Sequence, residues 1–212
     1  MITLPDTGIK ETVELLLSRR MTQSDGSAPA EIEKAEKRLG LSLPQPLKEL
    51  YLAAGNNDML MRSYNEFHSL EELEIIDSKI VFASENQGVC WWGVDPGENP
   101  RVYQQSEEGG EWWDEEADIQ RFIALLLYFQ CAEGGYEYGG TTDIADDRLT
   151  ELLETEQKLA VSHNGLVIWH KPECLTWYFT DKNNKISGDI YFSALTSEAY
   201  KQNAEKYNLK EL

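Results

Sequence analysis

The residues with the most chemical capacity in this chain are its carboxylates, 38 Asp and Glu against 19 Lys and Arg. The densest run is Glu107-Glu-Gly-Gly-Glu-Trp-Trp-Asp-Glu-Glu-Ala-Asp118, seven acids and no base among twelve residues, with Trp112 and Trp113 at its centre. Among so many carboxylates some pair falls at glycosidase spacing by chance, so spacing alone is no argument for acid–base catalysis. An aromatic anchor ringed by acids suits recognition of a basic protein instead: the indole supplies buried contact area, and the carboxylates steer the encounter and select the partner. The candidate partner-binding set is therefore Glu107, Glu108, Glu111, Trp112, Trp113, Asp114, Glu115 and Glu116. In an extended segment adjacent side chains point to opposite faces, so the two indoles cannot share one core. The competing reading is that both cover a sheet edge and the acids form a solvated loop. Trp91-Trp92 poses the same question, with core packing the expected answer.

The remaining chemistry-bearing residues form no motif. His68, His163 and His170 are isolated; His170 and Cys174 have i,i+4 spacing, but Pro172 breaks any helix between them. Asp143, Asp146 and Asp147 share only acidity with a calcium loop, and Asp146 or Asp147 suits a helix cap better. Phosphate-binding glycine loops, nucleophile elbows and zinc-protease motifs are absent, and Gly134-Gly135 and Gly139-Gly140 read as loop residues. No catalytic residue, metal or cofactor is expected.

The net charge of −19 opposes binding to nucleic acid or to anionic membranes, where cationic side chains supply the affinity. It suits a basic protein partner approached by electrostatic steering, although solubility alone also accounts for acidic proteins. The charge is uneven: residues 58–118 hold 16 acids against Arg62, Lys79 and Arg101, a net of −13. Three scattered cysteines without metal or redox spacing, a start without a signal-peptide pattern, and no apolar run longer than 122–129 lead to the expectation of a cytoplasmic protein. A chain of 212 residues buries roughly 70% of its unfolded surface, and needs neither metal nor disulfide to fold.

The elements that must position these residues follow from periodicity. Residues 9–20 predict an amphipathic helix with Arg19-Arg20 at its end, and 22–27 a polar linker. Ser27 is placed to cap a second helix through Leu39, stopped by Gly40, and Pro46 to open a third through Ala54. Residues 79–84 and 89–94 predict a hairpin, 100–105 a third strand, and a helix begins near Asp118. Beyond it come a helix near 147–156, strands at 165–169, 175–180 and 186–192, and a helix capped by Thr196. This order predicts an α+β fold with a mainly antiparallel sheet flanked by helices.

Glu31-Ile-Glu-Lys-Ala-Glu-Lys-Arg-Leu-Gly40, Leu43-Pro44, Leu47-Lys-Glu-Leu-Tyr51 and Gly55-Asn56 together resemble the opening signature of the SMI1/KNR4 (SUKH) family. Leu70-Glu-Glu-Leu73, the hairpin around Gly88, Pro100-Arg-Val-Tyr103 and a helix with Phe122 and Leu126 follow in the family's order; Asn56-Asn57 departs from its frequent Asn-Gly. The resemblance covers about residues 28–131. It divides the chain into an N-terminal helix and linker (1–26), an SMI1/KNR4-like core (27–131) and a C-terminal extension (132–212) packed on the same domain. It implies a non-enzymatic role: bacterial members are mostly immunity proteins that neutralise toxins, often nucleases, and fungal members are regulatory scaffolds. The expectation is an immunity-type binder of a basic toxin, with a regulatory scaffold as the alternative and an unrecognised enzyme as a remote one.

Overall fold

The computed structural model describes residues 6–107, 109–142, 144 and 146–211, the side chains of Asp146, Asp147 and Glu211 excepted. Helix α1 (Ile9–Leu17) buries Ile9, Val13, Leu16 and Leu17. It stops short of residue 20 because Ser18 turns into the left-handed region at φ 49°. Arg19 then leaves the helical path to chelate Asp25, with both nitrogen–oxygen distances at 2.8 Å. Asp25 also accepts from Thr22 N and Oγ1 and from Asn57 Nδ2, so the polar linker is a folded clasp.

Helices α2 (Pro29–Leu39) and α3 (Gln45–Ala54) form the expected hairpin. Ser27 does not cap α2. The N-cap is Ala28, whose backbone N–H donates to the Glu31 carboxylate at 2.7 Å, while Gly40 closes the helix at φ 73°. A one-turn helix, α4 (Asp58–Arg62), leads into the first sheet.

That sheet contains β1 (Glu66–Phe67), β2 (Glu74–Ile76), β3 (Lys79–Ser84), β4 (Trp91–Val94), β5 (Arg101–Gln105) and β6 (Trp113–Asp118). Its order is β1-β3-β4-β5-β6, with β2 also on β3 and every pairing antiparallel. Helix α5 (Ile119–Gln130) follows, its N-terminus capped by Asp118, and ends in a π-turn at Cys131–Gly135. The second sheet is also antiparallel, in the order β12-β7-β11-β10-β9-β8. Its strands are β7 (Tyr138–Thr142), β8 (Lys158–His163), β9 (Leu166–Lys171), β10 (Cys174–Thr180), β11 (Ile186–Ala194) and β12 (Leu209–Glu211). Helices α6 (Asp146–Glu156) and α7 (Ser197–Ala204) cover its far side, and Thr196 caps α7 as expected. Gly139-Gly140 lies in strand β7 rather than a loop. A Cβ on Gly140 would sit 2.8 Å from the Lys210 carbonyl and the Tyr200 hydroxyl, so only glycine fits this crowded position.

Helix α5 joins the two layers. Seven consecutive residues, Phe122 to Tyr128, are buried, the pattern of a helix covered on all sides. Phe122 meets Trp92 of the first sheet, whereas Phe129 and Tyr128 meet Trp177 and His170 of the second. One apolar core therefore runs from α1 through α5 to Leu175 and Trp177, and a smaller one joins Phe192 and Cys174 to α6 and Tyr207. No helix among the described residues is long and apolar enough to cross a membrane.

Candidate functional site

The second half of the acidic run, Trp113–Asp118, forms edge strand β6, paired only with β5 among the described residues. Gln104 faces Trp113 and Tyr103 faces Asp114, but Arg101 faces Asp118, so three residues of β6 (115–117) oppose one of β5. Glu116 absorbs this bulge at φ 57°, and its N–H donates to Asp114 Oδ1 at 2.7 Å. Bulges re-aim side chains at sheet edges. Here the bulge turns Glu115 under the strand, where it accepts from Trp92 Nε1 at 2.8 Å.

The adjacent indoles separate as extended geometry requires. Trp112 is half-buried against the outer face: its ring covers Gly93, where a Cβ would lie 2.9 Å from Cη2, and its Nε1–H donates to Asp77 at 3.3 Å. Beneath it Lys79 sits 4.0 Å from the Tyr103 ring centroid and 2.8 Å from Asp95, so the protein's own cation fills this aromatic and acidic nest. Trp113 is 63% exposed, the most exposed of the large hydrophobic residues described.

Around Trp113 the other residues of the run take different places. Asp114 is held by a bidentate contact from Arg101 at 2.8 Å, which lowers its pKa below the usual carboxylate range. Glu107, Glu111 and Glu116 are exposed and have no ion-pair partner among the described residues, while Glu108 lies outside the described residues. Asp143, part of the calcium-like run, also lies outside them, as do the side chains of Asp146 and Asp147.

Acids of 58–118 form ion pairs near both edges of the first sheet. On the β1/β2 edge Arg62 meets Glu66 and Glu72, and Lys34 meets Glu71. On the β6 edge Arg101 and Arg121 are engaged by Asp114 and Asp118.

Behind β6 a groove of about 280 Å³ opens where the two sheets diverge from α5. Trp92, Gln104 and Glu115 line it from the first sheet, Phe122 and Phe129 from α5, and His163 and Phe179 from the second. Burial raises the pKa of Glu115 and lowers that of His163, since a low dielectric disfavours either charged form. His163 is 5% exposed and neither ring nitrogen has a hydrogen-bond partner; the Glu115 backbone approaches the ring outside hydrogen-bonding geometry. Sequence reasoning left His163 as an isolated histidine and did not connect it to Glu115. The available signal was only the short alternation Val161-Ser-His163, since Leu159 is exposed and a register shift separates it from Val161. No group of three His, Cys, Asp or Glu side chains among the described residues could hold a metal ion.

A two-layer α+β fold opening on a helical hairpin is matched by a family model, described as SMI1 / KNR4 family (SUKH-1), over residues 26–205. The chain belongs to the SMI1/KNR4 family. The match runs well past residue 131, where the motif resemblance stops, and takes in α7 and every strand of the second sheet except β12. Within this SMI1/KNR4 chain both walls of the groove therefore fall inside the matched region. No curated protein matches the chain.

Proposed function

We propose that this SMI1/KNR4 protein is a non-catalytic binder of a basic protein, acting as an immunity protein that docks on a toxin through the β6 edge. The observation that carries this reading is Trp113, a large apolar side chain 63% exposed on an unpaired strand edge and flanked by the exposed acids Glu111 and Glu116. An aromatic anchor supplies contact energy when a partner covers it, and surrounding carboxylates accelerate the encounter with a cationic surface. Outside the bulge at Glu116, β6 has no second strand partner among the described residues, so its outer edge is open to an approaching strand. A nuclease toxin presents a basic nucleic-acid site, and covering that site would neutralise it.

The test is calorimetric titration with the toxin domain encoded beside the gene. Binding should weaken at least tenfold when salt rises from about 50 to about 500 mM, because exposed charges are then screened within a few ångströms. Trp113→Ala combined with Glu116→Lys should weaken it further. Salt-insensitive binding that tolerates the double variant would refute the proposed edge. Phenotypes on deletion in isolated cells, with no binding to any neighbouring toxin, would favour a resident scaffold.

A further inference from the structure

The groove behind β6 holds a carboxylate without a counter-ion. Several other half-buried acids have a cation: Asp25 has Arg19, Glu36 has Lys48 and Glu156 has Lys171, whereas Glu133, like Glu115, has none among the described residues. Glu115 is mostly buried, has no ion pair among the described residues, and accepts a hydrogen bond from Trp92 Nε1. A carboxylate can accept about four hydrogen bonds, so most of its capacity is unused. Leaving a buried charge uncompensated is costly unless something else meets it. His163 also lines the groove, next to the Glu115 backbone, with both ring nitrogens buried and without a hydrogen-bond partner. Trp92, Phe122, Phe129 and Phe179 supply aromatic walls, and Phe179 at the mouth is 41% exposed.

We propose that this groove receives one arginine side chain of the partner, its guanidinium on Glu115 and its stem among the aromatic rings. Guanidinium is favoured over ammonium because it is planar, weakly hydrated, stacks on aromatic faces, and offers several donors at once to Glu115 and Gln104. The volume of about 280 Å³ lies just under the roughly 300 Å³ at which pockets for whole small molecules begin, a scale that suits a single side chain. The inference rests on the partner-binding reading, and it extends that reading from the β6 edge to the groove behind it.

The experiment first uses n-butylguanidinium with the protein alone, following the Trp92 indole and His163 imidazole resonances. With eight heavy atoms at modest ligand efficiency, a dissociation constant on the order of 1–10 mM is expected. Glu115→Gln, which keeps an acceptor for Trp92, should weaken this binding at least tenfold, and n-butylammonium should bind more weakly than butylguanidinium. Phe179→Ala, at a largely exposed ring, should weaken it about threefold, and it reports on the groove should Glu115→Gln fold poorly. Absence of shifts at Trp92 and His163, equal affinity in the variants, or a preference for ammonium overturns the assignment. These outcomes leave the edge reading to its own test, since Trp113→Ala should not change butylguanidinium binding.

Discussion

Replacing Trp113 by alanine should separate binding from folding, and its neighbour supplies the control. Trp113 is 63% exposed; with about 250 Å² for a whole tryptophan side chain, roughly 150 Å² is free for a partner to cover. At about 25 cal/mol per Å², full coverage corresponds to ~4 kcal/mol, and alanine truncation at an interface centre to ~2–4 kcal/mol. The expected loss of affinity is thus about 30-fold to 1,000-fold. Stability should change by no more than ~0.5 kcal/mol, as is usual for a surface position outside the core. Trp112→Ala should do the reverse. It uncovers Gly93, removes the indole–Asp77 hydrogen bond and opens the nest around Lys79. Because Trp112 is only half-buried, ~2–3 kcal/mol is expected, below the range for fully buried tryptophans. Urea unfolding gives the stabilities, and calorimetry against the toxin gives the affinities. The reasoning fails if Trp113→Ala binds within about threefold of the parent protein, or unfolds more easily by over ~1.5 kcal/mol.

Asp25→Ala should destabilise the protein by ~2–3 kcal/mol at neutral pH: it removes a carboxylate that accepts from Arg19, Thr22 and Asn57, and Arg19 is exposed enough to rehydrate. The Arg19 guanidinium holds the Asp25 pKa far below its ordinary 3.8. The native state therefore keeps its charge where the unfolded chain takes up a proton. The Asp25 contribution is complete above 3.8 and lost as pH falls below it toward the native value, so the gap between parent and variant should persist at about pH 5 and close in stronger acid. The three cysteines are free and buried, and burial pushes the Cys90 and Cys174 thiols up to about 11 and Cys131 higher still. All three should resist Ellman's reagent at about pH 8 in the native protein and react promptly in denaturant; fast native labelling of Cys131 would contradict the packing around the π-turn.

Local signals carried much of the architecture. The α2–α3 hairpin, the β3–β4 hairpin, the start of α5 near Asp118 and the Thr196 cap of α7 all rest on periodicity and end residues a few positions apart. The misses depended on distant partners or on a conformation that the residue type does not signal. Strand β7 contains Gly139-Gly140, which locally favours a loop, and it is held as a strand by β11 and β12 from far along the chain. Helix α1 ends early at Ser18, whose left-handed conformation carries no strong signal in a serine, and Arg19 is then free to reach Asp25. At the candidate site the sequence located the run of acids and indoles but left open whether both indoles would cover the sheet edge. What it could not carry was the bulge at 115–117, which turns Glu115 inward, or the meeting of β6 with His163 across α5.

The presence of acids near both edges of the first sheet bears on how a partner would choose one edge. At physiological ionic strength a surface charge is felt over about 8 Å, so these acids can draw a basic protein toward the sheet without fixing its pose. The β1/β2 edge is partly neutralised by Arg62 and Lys34, and its exposed apolar residue, Ile75, is 43% exposed. The β6 edge commits Arg101 and Arg121 to Asp114 and Asp118, leaves Glu107, Glu111 and Glu116 unpaired among the described residues, and carries the larger indole of Trp113. Long-range attraction common to both edges would govern the rate of encounter, whereas desolvated contact available at β6 would govern how long the complex lasts. Charge reversal at Glu71 or Glu74 should therefore slow association modestly and leave dissociation unchanged, while Trp113→Ala should accelerate dissociation. The opposite assignment of these two kinetic effects would move the docking edge to β1/β2.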